Sequence, residues 1–448
     1  MVRLLALLAL IVVTGCAAPT PSADLREPAA RATAIDNTIA FQSRGGPTDV
    51  AGGAAEAALP LADAVRLALR HDPRVGAALA RVRVAQADAR QARLLPNPVL
   101  SVMVRFPEGG GDPMIEAGLM ADVLAVLTLP RRTSAADHRL RAASAEALGA
   151  VLDVLAEAQQ QYAVAQAADE KLRVVQERRK SAADLAALAR TLVETGRAAP
   201  AELLAAEAEL DDMEAEQVMA ESERRQARLA LARLIGQPSS AAAWELDRWR
   251  PPAPVSADER AWVELALRRR PEVVAARWEL AAAGDEAALA GAALFEGAEA
   301  GASAERQEGD WFTGPAIMLP LPLFDWGGPR GDKARAMRVE ARHELTLARR
   351  QAVEDVRVAL AELSSAVAAV EIVSGRLIPR QQQRRERAQA AFESGITGMT
   401  PVLQAEQAIQ AARAKLIDLQ QKASAAQYRL HRAAGGPGAA REVEGRGE

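Results

Sequence analysis

Cysteine occurs once in 448 residues, at Cys16, so no disulfide forms within the chain and no multi-cysteine metal site exists. Histidine is nearly as scarce: His71, His138, His343 and His431 are scattered, with no i,i+4 pair, which argues against any metal centre. Aromatics are only 3% of the residues, while alanine is abundant, a balance suited to close helix contacts rather than a thick core. The formal net charge of −4 gives no electrostatic case for nucleic acid as a partner. No glycine-rich nucleotide loop follows a strand and no nucleophile motif is present, so neither a cofactor nor catalysis is expected.

Long hydrophobic runs are missing too. The longest opening stretch, Leu4 to Val13, is too short to span a bilayer as a helix. Following Arg3 and leading into Val13-Thr14-Gly15-Cys16, it reads as a signal peptide over residues 1–15. The pattern is similar to that of bacterial lipoproteins, in which Cys16 becomes the acylated first residue of the mature chain. Ala17 in place of Asp then points to the outer membrane, with an ordinary secretory signal as the alternative. Residues 16–58, rich in Pro, Ala, Gly and Thr, read as an extended leader.

What the chain does contain is a duplication. Glu194 to Glu207, ETGRAAPAELLAAE, returns as Glu393 to Glu406, ESGITGMTPVLQAE, 199 residues later. Ala68 to Val75, ALRHDPRV, returns as Ala266 to Val273, ALRRRPEV, at an offset of 198. Each ETG/ESG copy has a glycine where a helix needs a left-handed residue to stop, then a new apolar pattern, and so joins two antiparallel helices. Apolar residues recur every three or four positions along both arms, from Leu148 to Val175 in the first copy and from Met337 to Leu377 in the second. The stretch Arg131–Thr195 would form a rod of roughly 100 Å. Two repeats are therefore expected, over 59–236 and 258–436, with a proline-bearing linker at 237–257 and a disordered tail at 437–448.

Inside each repeat the period changes from near 3.6 to 2. Strands are expected at about 98–106 and 114–129, and again at about 295–306 and 311–323. Leu100, Val102, Val104 and Phe106 alternate with Ser101 and Arg105, as in a strand with one face in lipid and the other in water. Four strands cannot close around a lumen, and a sheet in hydrocarbon cannot leave its edges unpaired. Two chains would give a filled eight-stranded plug; three give twelve strands and a channel. The expected fold is thus mainly α with a membrane β-barrel part: a trimeric twelve-stranded barrel continued by a long antiparallel α-helical barrel.

The duplicated unit, Leu95-Pro96-Asn97-Pro98 before the first strand, Asp325-Trp326-Gly327-Gly328 before the second long helix, and the two glycine tips together resemble the TolC family of outer-membrane efflux proteins over about Leu59 to Gly436. That resemblance implies a passive trimeric duct, docked at its tips onto a periplasmic adaptor (membrane fusion) protein and an inner-membrane pump. In general appearance the chain is similar to the lipoprotein, heavy-metal-efflux branch, which implies export of small solutes such as heavy-metal cations or drugs. A type I protein secretion duct and a periplasmic coiled-coil scaffold or adaptor are the alternatives.

The residues matching the family's docking positions are Gly196, Leu203, Leu204, Gly395, Val402 and Leu403; the competing role for them is to end a helix and fill the hairpin core. Pro379, inside the second long helix, is either a gating hinge or a static bend. Glu386, Glu393 and Glu406 either ring the periplasmic mouth and favour cations or form a solvated face balanced by Arg384, Arg385 and Arg387.

Overall fold

The computed structural model describes residues 25–34, 58–106, 108–238, 242–249, 252, 255 and 258–445. Cys16, the signal peptide and most of the leader lie outside them. In chain order the elements are α1 (Arg26–Thr33), β1 (Ala58–Leu59), α2 (Leu61–His71), α3 (Pro73–Gln91), β2 (Val99–Arg105), β3 (Met114–Asp122), α4 (Val123–Glu194) and α5 (Pro200–Leu234). There follow β4 (Glu245–Leu246), α6 (Glu259–Arg269), α7 (Pro271–Ala292), β5 (Glu299–Gln307), β6 (Asp310–Met318), α8 (Gly328–Ile372), a π turn at Val373–Leu377, α9 (Ile378–Glu393), α10 (Thr400–Ala433) and α11 (Pro437–Glu444).

The two copies use the same local devices. α2 ends at Asp72 and α6 at Arg270, because each precedes a proline that disfavours the helical conformation behind it. Each leaves its last N–H bonded four residues back, to Ala68 and Ala266 respectively. Asp72 then caps α3 by accepting from the Arg74 N–H at 2.8 Å. Glycine closes the long helices: at Gly196 (φ 67°) the Arg197 N–H reaches back to the Leu192 carbonyl at 2.7 Å, and at Gly395 (φ 73°) the Ile396 N–H reaches Ala391 at 2.9 Å. Both are Schellman closures, which leave the helix carbonyls satisfied and turn the chain around.

The described chain forms two compact units, each drawing on both repeats. One comprises 78–147 and 271–349 and contains the four-stranded sheet. Its strand order is β2-β3-β5-β6, antiparallel throughout, and among the described residues the outer edges of β2 and β6 have no strand partner. The hairpin β5–β6 turns through Glu308 (φ 50°) and Gly309 (φ 93°), the left-handed pair that a two-residue turn requires. Near the helical end of this unit Asp285, itself buried, accepts from Ser134 Oγ at 2.6 Å and from Arg131 at 3.0 Å, and pairs with His138 at 3.1 Å.

The second unit comprises 25–77, 148–270 and 350–448. Here Tyr162, buried at 2% exposure, donates from its hydroxyl to the Leu59 carbonyl at 2.8 Å and accepts from the Asp247 N–H at 2.7 Å. It thereby bolts together the flanks of the small parallel pair β1–β4. Burial pushes the Tyr162 phenol up to about 12, so it stays a donor at neutral pH. Arg228, also buried, donates to the carbonyls of Ala242 and Trp244 and pairs with Asp169 at 2.5 Å, tying the described part of the linker to α5.

Several expectations need correction. β3 stops at Asp122, and 123–129 are the opening turns of α4, because Asp122 Oδ1 accepts from the Ala125 N–H at 2.8 Å and caps a helix there. Pro130 consequently lies inside α4 rather than ahead of it. β6 ends at Met318, before Pro320 and Pro322 strip the chain of ladder donors, and β5 begins at Glu299 after a 3-10 turn at Ala293–Phe295. Where an extended leader and a disordered tail are expected, Arg26–Thr33 and Pro437–Glu444 are helical. α1 lies against α11, burying Ala29 and Thr33 on one side and Ala439, Ala440 and Val443 on the other. The seat is made by glycine: a Cβ on Gly438 would stand 1.6 Å from the Arg31 carbonyl oxygen, and one on Gly436 2.4 Å from that of Ala32.

Candidate functional site

Two regions hold the residues picked out above: the sheet and the hairpin tips. In the sheet the register sorts side chains by face. One face carries the cross-strand rows Leu100–Leu119–Ala302–Pro315, Val102–Ala117–Ala304–Thr313 and Val104–Ile115–Arg306–Trp311. The other, mixed face carries Val99–Met120–Gly301–Ala316, Ser101–Gly118–Ser303–Gly314, Met103–Glu116–Glu305–Phe312 and Asp122–Glu299–Met318. The first face is apolar except for Arg306 and Thr313 near its turn end, and Leu100 and Ile317 on it stay 67% and 72% exposed. The second sets carboxylates directly opposite one another, an arrangement tolerable only in contact with water. Arg105 is 4.0 Å from Glu116. Gly301 lets β3 and β5 close up, since a Cβ there would lie 1.8 Å from the Leu119 carbonyl oxygen.

At the tips the two hairpins meet in one cluster: Ala186, Ala189, Ala206 and Met399 are buried, with Leu203, Leu210, Phe392 and Leu403 packed around them. Val402 is buried as well. Leu204 instead faces solvent at 67% exposure, and so does Ile396 at 78%. Nothing lies within 4 Å of a Cβ placed on Gly196 or Gly395, so those glycines answer to backbone conformation alone. The structure thus brings Leu203 and Leu403 together inside the head and leaves Leu204 outside it. Sequence reasoning missed Ile396 and Met399; the signal available for the first was an isoleucine directly after the helix-ending glycine.

Among the acidic residues picked out near the second tip, Glu406 lies 3.7 Å from Arg385 and accepts from Gln410 at 3.0 Å. Glu386 and Glu393 are exposed, the latter accepting from Gln389 at 3.2 Å. Pro379 falls in the first turn of α9, directly after the π turn. The widened turn accommodates a ring that would otherwise press on the Gly375 carbonyl and a nitrogen that cannot bond to it. α9 buries no side chain, whereas Ala182, Ala186 and Ala189 are buried in the matching stretch of α4. Among the described residues no group of three or more His, Cys, Asp or Glu is placed to hold a metal ion, and no helix is long and apolar enough to cross a membrane.

Comparison with known proteins gives the family. The model for the outer membrane efflux protein family matches residues 64–237 and 262–436. No curated protein matches the sequence. Among solved structures the chain is similar to the outer membrane protein VceC from Vibrio cholerae, at 22% identity and a TM-score of 0.70, covering 84% of this chain and 96% of that one. A membrane protein from Pseudomonas aeruginosa gives 21% and 0.71, with 84% and 90% covered. The open state of the MtrE outer membrane channel from Neisseria gonorrhoeae gives 20% and 0.66, with 87% and 94% covered. A sheet with one apolar face and one that bears paired carboxylates, long glycine-closed helical hairpins in duplicate, and a family match over both copies lead to one statement: this chain belongs to the outer membrane efflux protein family and is a channel protein, not an enzyme.

Proposed function

We propose that three copies of this chain form a passive duct from periplasm to exterior, the outer-membrane part of a tripartite efflux system. The observation that carries this reading is the four-stranded sheet with one face apolar and with both outer edges unpaired among the described residues. In hydrocarbon each unpaired backbone group costs several kcal/mol, so the edges must be closed by neighbouring copies. Three copies give twelve strands, enough for an aqueous lumen lined by the carboxylate-bearing face. Acylation at Cys16 anchors the chain in the outer membrane, and the remainder extends into the periplasm. There the two tips dock on a periplasmic adaptor that joins the duct to an inner-membrane pump.

Gly196 and Gly395 set the turn, Leu204 supplies exposed apolar surface, and Leu203, Val402 and Leu403 hold the head that presents it. Pro379 with its π turn is the hinge about which the second hairpin bends to close the mouth, and Glu386, Glu393 and Glu406 lie near that mouth. The cargo is a small solute, with heavy-metal cations and drugs as the classes to try first; the pump and adaptor select it. Purified from outer-membrane fractions, the protein is expected to run as a heat-modifiable trimer and to give discrete conductance steps in planar bilayers. A folded, monomeric, detergent-free protein after removal of the acylated end would overturn the reading.

A further inference from the structure

Directly after β6 the chain runs Leu319-Pro320-Leu321-Pro322-Leu323-Phe324-Asp325-Trp326, and its apolar side chains are left mostly uncovered. Leu319, Leu321, Leu323, Phe324 and Trp326 are between 63% and 98% exposed. The segment is nevertheless rigid. Pro320 and Pro322 fix their own φ angles and restrict the residues before them, and the Leu323 N–H bonds to the Leu321 carbonyl at 2.8 Å. Asp325 Oδ1 accepts from the Gly327 N–H at 2.8 Å, while Arg330 bridges Asp325 and Glu296. A stiff segment that holds five large apolar side chains outward is a preorganised binding surface, since little freedom is left to lose on contact.

Two occupants compete for it, lipid and protein. Height decides between them. Nine residues of β6 at about 3.4 Å each, tilted by about 40°, already cover roughly 24 Å, the whole apolar band of an outer-membrane barrel. Residues 319–326 therefore lie at or beyond the membrane's edge, where uncovered leucine and phenylalanine would face water. Topology then names the protein. In the antiparallel order β2-β3-β5-β6, β6 leaves the sheet at the end where β2 enters it. When the β6 edge of one copy pairs with the β2 edge of the next, the segment after β6 lies beside the segment before β2. That second segment carries its own exposed apolar pair, Leu94 and Leu95, and Val126 and Leu127 at the start of α4 are exposed in the same unit.

We propose that residues 319–326 form a strap by which each copy grips the next on the periplasmic side of the barrel, seating on the Leu94–Leu95 and Val126–Leu127 surface of its neighbour. The strap rests on the trimeric duct reading, and the test separates the two. Full-length protein carrying the photo-crosslinker p-benzoylphenylalanine in place of Phe324 is irradiated in outer membranes and run on denaturing gels with and without heating. Covalent dimers and trimers that survive boiling are expected, with adducts mapping to 94–98 or 123–127 of the neighbouring copy. An unheated trimer band with no protein adduct, or with adducts only inside the same chain, would overturn the strap alone; absence of a trimer band from the unsubstituted protein run beside it would overturn both readings. A second variant, L323S with F324S, is expected to lower the temperature at which trimers dissociate by several degrees while the helical circular dichroism of the protomer is unchanged. An unchanged dissociation temperature would also count against the strap.

Discussion

Glu279 and Asp285 lie six residues apart on α7, and their surroundings push their carboxyls in opposite directions. Burial, and then the neighbouring carboxylates of Glu146, Glu286 and Glu344, raise the Glu279 carboxyl against the pull of Arg139. The folded state therefore holds that proton more tightly than the unfolded chain. Stability is lost as pH climbs through the raised folded value, so Glu279 is a cost at neutral pH. Glu279→Gln is expected to raise the melting temperature at pH 7.5 by roughly 1–3 °C and to change it little at pH 4, checked by scanning fluorimetry at both. For Asp285, burial alone would raise the carboxyl, but the hydrogen bonds from Ser134 and Arg131 and the charge of His138 outweigh it and hold it below the usual range. Its contribution is present above the unfolded value and disappears as pH falls through the folded one. Asp285→Asn should therefore lower the melting temperature at neutral pH, with the gap to wild type closing on acidification. Neither behaviour was legible in the sequence, because a carboxylate's partners here come from α4, α7 and α8, far apart along the chain.

The long hairpins were legible because their signals are local: a glycine to stop each helix, a fixed offset between copies, and a seam of apolar residues. The strand ends were not. Val123, Val126 and Leu127 fit a period of 3.6, while Val123, Ala125 and Leu127 fit a period of 2. Only the bond from the Ala125 N–H to Asp122 decides between them. α1 and α11 were hidden for a different reason: eight-residue helices are marginal alone, and these are helical because they bury one another. Packing also divided the tip leucines, since whether Leu203 or Leu204 points inward depends on how two hairpins meet. At this scale Pro379→Ala is the informative change. If the π turn and proline form a hinge, the variant should straighten the second long helix and raise the open fraction of single pores in bilayers, whereas conductance identical to wild type would make the bend static. Gly438→Val is expected to unseat α1, since its side chain would occupy the place of the Arg31 carbonyl; limited proteolysis should then cut near 25–34 at a rate the wild type resists.

For the assembled molecule the two faces of the sheet matter most. In the proposed trimer the rows holding Glu116 and Glu305, and Asp122 and Glu299, would be repeated three times around the lumen, concentrating a negative field. Pores are expected to prefer cations in a salt gradient, and E116Q with E305Q should move the reversal potential toward zero; an unchanged potential would place selectivity elsewhere. The clasp between α1 and α11 bears on how such a molecule comes into being. The two helices lie about 400 residues apart along the chain, so α1 has no seat until nearly all of the described chain between them has been made. A chain ending at Gly436 would keep every described strand and both tips, yet α1 would lose the surface that buries it and lie open to proteolysis.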